Sequence, residues 1–345
     1  MIRSLMCAAL SLAPLCACAP TVQLAGQPGA SFAGPCLEAD DFVSFDGARL
    51  ATQTWAPRGE APWAVVIAVH GMDDYSNAFH IAGPAWAADG ILTIAYDQRG
   101  FGRSPGRGVW AGQAVMAHDL DVLVRLARAR YPQATIAVVG ESMGASVAIA
   151  AFAGPDPPPA DRLVLVSPAV WGWTSQPLAY RAALWLVAHV DGPAVISPPS
   201  FLTDHIRASD NVPELIRMGR DRLMIWGART DTLYGLVGLM QTGADQIGAT
   251  RAATLVMVGA HDQIIPKTAI RDAVRRLRPD QRSAYYAHGW HLLLVDRQAP
   301  VVFGDVESFL RDPTAPLPSA APPIPGAPVS HGAPLSHVAA SETVR

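Results

Sequence analysis

Charge is scarce in this chain: 16% of its 345 residues are Asp, Glu, Lys or Arg, and the formal net charge is −3. Without a long Lys/Arg run there is no electrostatic footprint for a phosphate backbone, which excludes nucleic acid as a partner. The Arg-rich stretch Arg271 to Arg278 reads instead as the solvated side of a surface helix, with Val274 and Leu277 as its apolar stripe and Pro279 as its stop. Cysteine is also sparse, at 4 residues. No Cys-x-x-Cys pair or His-rich cluster occurs, so neither a disulfide framework nor a metal site is expected. No internal repeat is present, and no apolar run is long enough to span a bilayer. What remains is a chain that is 50% hydrophobic, enough to bury a sizeable core in one large or two ordinary domains.

The first residues stand apart. Arg3 precedes a short run of small and apolar residues from Leu5 to Leu15, the composition of a signal-peptide core, so residues 1–17 are expected to be a signal peptide. Leu15-Cys16-Ala17-Cys18 resembles the bacterial lipobox, which makes Cys18 the expected lipid anchor and membrane contact, and Ala19 after it resembles outer-membrane sorting. Ordinary cleavage near Ala17 and Ala19, giving a soluble secreted or periplasmic protein, is the competing reading. Residues 18–36 mix Gly, Pro, Ser and Ala and read as a flexible tether. Residues 312–345, rich in Pro and Ala, read as a disordered tail. The folded domain is then residues 37–311.

Within it, Asp41 to Phe45 and Arg49 to Trp55 alternate around Asp46-Gly47, a hairpin signal expected of edge strands. Ala64 to Val69, Ile91 to Tyr96, Thr135 to Val139 and Arg162 to Val166 are unbroken apolar runs, as central strands covered on both faces require. Met116, Leu120, Leu123, Val124 and Ala127 line one face of a helix between the second and third of these. Alternating strands and helices imply an α/β fold with a mostly parallel sheet and helices on both faces. The next strand, Thr254 to Val258, is delayed by an insertion at about residues 171–253, expected to be a helical cap. Its apolar series are Leu178, Ala182, Trp185, Leu186 and His189; a helix starting at Pro213; and Leu233 to Met240.

Gly140-Glu141-Ser142-Met143-Gly144 follows the strand Thr135 to Val139 directly and runs straight into the helical stretch Ala145 to Ala151. This is a G-x-S-x-G turn, whose glycines make room for a strained strand-to-helix bend presenting the Ser142 hydroxyl as nucleophile. An oxyanion hole needs two backbone N–H groups. Met143 supplies one, and Met72, in the loop after Ala64 to Val69, is the natural second. His70 reads as a loop-orienting residue, and Asp73 and Asp74 as turn formers. After Ser142, an acid at a strand's C-terminal end and a later histidine are required. Asp262 follows Thr254 to Val258, and His291 follows the strand Ala284 to Ala287; His261 and His288 are the neighbouring rivals, and Asp296 reads as a helix cap.

With these residues in view, the set His70-Gly71, Asp97-Gln98-Arg99-Gly100-Phe101-Gly102-Arg103-Ser104, Gly140 to Gly144, Gly259 to Pro266 and Gly289 to Leu292 resembles the monoacylglycerol lipase and lysophospholipase branch of the α/β-hydrolases, also called serine aminopeptidase-like. The resemblance implies the α/β-hydrolase fold and the same triad, Ser142, Asp262 and His291, with Met72 and Met143 as oxyanion donors. It implies two-step acyl transfer on a small ester or lipid substrate with no metal or organic cofactor. Glu141 stands where many members have His, and the loop after Met72 lacks the usual Gly-Glu-His run, departures that bear on substrate more than on chemistry. An amide or peptide hydrolase, and a catalytically silent envelope lipoprotein, are the alternatives.

Overall fold

The computed structural model describes residues 19–59, 61–197 and 206–328. Its strands are β1 (Cys36–Leu37), β2 (Asp41–Val43), β3 (Arg49–Trp55), β4 (Ala64–Val69), β5 (Ile91–Tyr96), β6 (Thr135–Glu141), β7 (Arg162–Val166), β8 (Val195–Ile196), β9 (Ala228–Arg229), β10 (Ala253–Gly259) and β11 (Arg282–Tyr286). Its helices are α1 (Ala82–Ala88), α2 (Gln113–Arg130), α3 (Met143–Phe152), α4 (Leu178–Val190), α5 (Val212–Gly219), α6 (Thr230–Gln246), α7 (Lys267–Val274) and α8 (Ala299–Arg311).

All strands but β8 and β9 form one sheet in the order β1-β2-β3-β5-β4-β6-β7-β10-β11. From β5 onward neighbours run parallel, and β1, β2 and β3 add antiparallel. Every residue of β4 and β5 is buried, since helices cover both faces and a continuous apolar run leaves neither face polar. One face packs Leu120 and Leu123 of α2, Val147 and Phe152 of α3 and Met240 of α6. The other packs Trp86 of α1 against Phe303 and Phe309 of α8.

The motif after β5 holds loops together. Arg99, 4% exposed, forks both Asp46 oxygens at 2.7 Å and reaches Asp119 on α2 at 2.7 Å through Nε. This double carboxylate pairing satisfies an otherwise costly buried charge and pins the β2–β3 turn to α2. Asp97 accepts the Ser76 and Arg103 amides, each at 2.8 Å, fixing the loop that descends from β4.

Four expectations need correction. Strand β3 is not an edge strand; it pairs with both β2 and β5, and the shorter β1 lies outermost. Residues 19–36 are laid on the surface and do not hang free: the Gln23 amide donates to the Trp110 carbonyl at 2.8 Å, and its side chain donates to that of Val109 at 2.6 Å. Helix α6 is not cap but a crossover helix of the hydrolase itself, since Gly243 lets it approach α3 so closely that a Cβ there would lie 2.7 Å from the Ser146 hydroxyl. Residues 312–328 are ordered against the sheet. Leu317 and Ile324 are buried, the Pro322 carbonyl accepts the Tyr285 amide at 2.8 Å, and Arg282 donates to the Pro313 and Ala315 carbonyls. Two apolar anchors and a row of free carbonyls are enough to dock a Pro-rich segment that composition alone marks as coreless.

Candidate active site

The sheet's C-terminal ends gather three loops. Between β6 and α3, Ser142 sits alone at φ +53° and ψ −115°, a left-handed conformation that costs an L-residue energy and turns its hydroxyl off the strand. Glycine makes that bend possible. A Cβ on Gly144 would lie 2.1 Å from the Val69 carbonyl oxygen, and one on Gly140 would lie 2.6 Å from that of Gly144. The β4 loop passes alongside, with a Cβ on Gly71 falling 3.3 Å from the Ser142 Cβ. Among the described residues, neither the Met72 nor the Met143 N–H donates to another protein group. Both are thus free to meet an oxyanion, Met143 with the positive end of α3 behind it. His70 holds this loop in place, accepting the Gln98 amide on Nε2 at 3.0 Å and donating from Nδ1 to the Gly71 carbonyl at 2.7 Å.

The other two loops carry Asp262 and His291. Gly259 and Gly289 let them cross in contact, since a Cβ on Gly259 would lie 2.4 Å from the Gly289 carbonyl, and the His261 amide donates to that carbonyl at 2.8 Å. The crossing brings His291 Nδ1 to 2.8 Å from Asp262 Oδ2 and His291 Nε2 to 3.0 Å from Ser142 Oγ. Asp262 Oδ1 accepts the amides of Ile264 and Ile265 at 2.8 and 3.0 Å. Burial opposes charge on Asp262, but the His291 imidazole and those amides outweigh it and hold the carboxyl below its usual range. An ionised carboxylate of this kind fixes the imidazole tautomer whose free nitrogen faces the serine. The rivals lie elsewhere: His288 is exposed, and His261 stacks on Trp290 with ring centres 5.3 Å apart.

Behind this chain of hydrogen bonds lies a set of acids the sequence did not bring together. Glu141, 2% exposed, has its carboxyl driven well above the usual range by burial and then by Asp74 and Asp296. Burial alone pushes Asp73 to about 7. Asp74 also reaches about 7, mainly through burial. Asp296 does not cap a helix with its side chain. It accepts the Trp290 amide at 2.7 Å beside His291 and the Ser209 hydroxyl at 2.6 Å, and burial raises it to about 6. Five positions separate Asp296 from His291, a spacing with no periodic signal to find it by.

The cap begins at Trp171 and ends where β9 meets α6. It is stitched to the His291 loop, the Asp262 loop and the loop after β4: the Leu292 amide donates to the Ala208 carbonyl, the Arg207 amide to the Gln263 side chain, and the Ile225 amide to the Asp73 carbonyl, at 2.9 Å in each case. Helix α4 of the cap has Leu178, Tyr180, Trp185, Leu186 and Val190 more than half exposed. Cys18 and the expected signal peptide lie outside the described residues. Among the described residues no helix is long and apolar enough to cross a membrane, and no group of three His, Cys, Asp or Glu side chains is arranged to hold a metal ion.

The chain is similar to several known proteins. The profile of the family described as serine aminopeptidase, S33, matches residues 60–298. The monoacylglycerol lipase of Mycolicibacterium smegmatis is 27% identical over 273 residues, covering 78% of this chain and 95% of that protein. Among solved structures, a soluble variant of the Saccharomyces cerevisiae monoglyceride lipase superposes with a TM-score of 0.65 at 18% identity, over 83% of this chain and 97% of that one. The Paleococcus ferrophilus monoacylglycerol lipase gives a TM-score of 0.62 at 19% identity, over 76% and 98%.

Proposed function

The chain belongs to the serine aminopeptidase S33 family, in the monoacylglycerol lipase branch of the α/β-hydrolases, and is a carboxylic ester hydrolase; from that premise we propose that it cleaves monoacylglycerol- or lysophospholipid-like esters through an acyl-enzyme on Ser142. The observation that carries this is the hydrogen-bonded chain from Ser142 through His291 to Asp262, at 3.0 and 2.8 Å. In this reading His291 Nε2 takes the Ser142 proton as Oγ attacks the ester carbonyl, and Asp262 stabilises the imidazolium. The Met72 and Met143 amides hold the tetrahedral oxyanion. His291 then returns the proton to the departing alcohol. Water, deprotonated by the same imidazole, attacks the acyl-enzyme and frees the carboxylic acid and Ser142. No step calls on a cofactor.

The exposed apolar residues of α4, in the cap, support an acyl substrate, as does the activity named for the Mycolicibacterium protein. Each buried methylene contributes about 0.8 kcal/mol, so turnover rises with acyl length until the site is full. Nitrophenyl esters from acetyl to palmitoyl, assayed below their micelle-forming concentrations, test this. A steady fall in kcat/KM from acetyl upward would refute it, and a fluorophosphonate that labelled the Ser142→Ala variant as well as wild type would refute the nucleophile.

For its address, we infer export to the bacterial cell envelope, with lipid on Cys18 anchoring the protein at the outer membrane. The apolar run before Cys18 supports this, and more than one acyl chain on Cys18 would hold the protein stably. Cys18→Ala is then expected to leave the membrane fraction, and a lipid-free mature N-terminus at Ala19 in wild type rejects the anchor.

A further inference from the structure

On the far side of the Asp262 loop from the nucleophile lies a cavity of about 140 Å³. Val258, Ile265, Ile270, Tyr285, Ile324 and Pro325 give it apolar walls, and Asp262 and Gly259 also line it. Ser142, His291, Met72 and Met143 do not border it. The docked C-terminal segment supplies Ile324 and Pro325 and so forms part of its wall. Lys267 and Arg271, both exposed, stand on its solvent side, four residues apart and so on one face of α7. Neither makes an ion pair among the described residues.

Apolar walls below two unpaired cations specify an amphipathic anion. An apolar cavity of roughly 150 Å³ accepts benzene, so the space suits about six carbons. Phosphate or sulfate would leave the walls unfilled, and a neutral alkane or alcohol would leave the cations unanswered. We propose that this cavity is a binding site for a medium-chain alkyl carboxylate, of about six to eight carbons, with its chain against Ile265, Ile270 and Ile324 and its carboxylate on Lys267 and Arg271. The ligand class follows from the walls. That such a carboxylate is also the product released by the enzyme rests on the ester reading above. Ile265, which lines the cavity, donates the amide that holds Asp262 Oδ1, so the occupant packs directly against the support of the triad acid.

Lys267 is the only lysine in the chain, which makes the site directly observable. Reductive ¹³C-methylation keeps its charge and gives one side-chain resonance, assigned by its loss in Lys267→Arg. In titrations of the full-length protein, hexanoate and octanoate are expected to shift that resonance saturably. Affinity should rise roughly fourfold per methylene from butyrate to hexanoate. Octanol and inorganic phosphate should bind at least about tenfold more weakly, each lacking one half of the interaction. Arg271→Ala, a surface change, should weaken octanoate about tenfold, and Ile324→Trp, which fills the cavity, should abolish its binding while ester turnover persists. No saturable shift with octanoate, an equal shift with phosphate, or octanoate affinity unchanged in Arg271→Ala would overturn the proposal. The readout needs no turnover, so failure of the ester assay and failure of this site are separate results.

Discussion

Asp74→Asn separates the electrostatics of the acid set from its packing. Asp74 is buried and accepts a single backbone hydrogen bond, from the Tyr75 amide at 2.8 Å, which an asparagine oxygen preserves. Burial raises its carboxyl from 3.8 to about 7, with Asp221 and Glu214 adding to the rise and the Tyr75 amide and Arg217 opposing it. The unfolded chain therefore releases this proton near pH 4 and the folded protein near pH 7. Stability from this group is complete below about pH 4, falls by about 1.4 kcal/mol per pH unit between the two values, and is lowest above them. Asparagine has no proton to lose. The variant is expected to match wild type near pH 4 and to exceed it by up to about 4 kcal/mol at pH 8. Asp73 and Asp296 keep their own slopes in both proteins, so only the difference between the two curves is diagnostic. Urea unfolding followed by tryptophan fluorescence from pH 4 to 8 measures it. A gap that is constant with pH, or that widens toward acid, would show that ionisation of Asp74 is not its cause.

The left-handed Ser142 makes a paired prediction: Ser142→Gly should gain about 1 kcal/mol of stability by relieving strain and Ser142→Ala should not, while both lose more than about a thousandfold in ester turnover. Equal unfolding midpoints for Gly and Ala would remove the strain argument. Asp262→Asn should lower kcat by about 10⁴-fold with the fold intact, because the amide selects the wrong imidazole tautomer; an activity within tenfold of wild type would displace Asp262 from its role. Ending the chain at Asp312 exposes the sites of Leu317 and Ile324 and should cost about 3–5 kcal/mol in a urea melt, whereas a disordered tail would cost nothing.

Much of this site was legible in the sequence because its constraints are local. The strands Ala64 to Val69, Ile91 to Tyr96 and Arg162 to Val166 have the bounds their apolar runs suggest, since burial on both faces leaves no alternation to misread. The Gly140 to Gly144 turn is legible because steric room for it exists only without a Cβ. Asp262 and His291 follow from chain order, and the structure joins His291 to Ser142 and Asp262 to His291. What escaped depends on distant partners. Nothing near Asp296 in sequence indicates the Trp290 amide and Ser209 hydroxyl on its two oxygens, and nothing near Glu141 announces Asp74. Leu233 to Met240 is apolar in either setting, so its pattern could not tell a cap helix from one lying on α3. The Pro/Ala-rich composition after Arg311 hid two anchors among residues that bury little.

The docked C-terminal segment also bears on how the protein behaves among many copies of itself. A strand at the end of a sheet offers unpaired amides and carbonyls to any passing chain, and β11 holds that place here. The segment takes the Tyr285 amide through the Pro322 carbonyl, and the next residue, Pro323, has no N–H to offer outward. Growth of the sheet by another copy therefore stops at a proline on this side, and on the opposite side it meets the two-residue β1. The Pro-rich composition that resembles disorder thus serves as a guard against edge-to-edge aggregation.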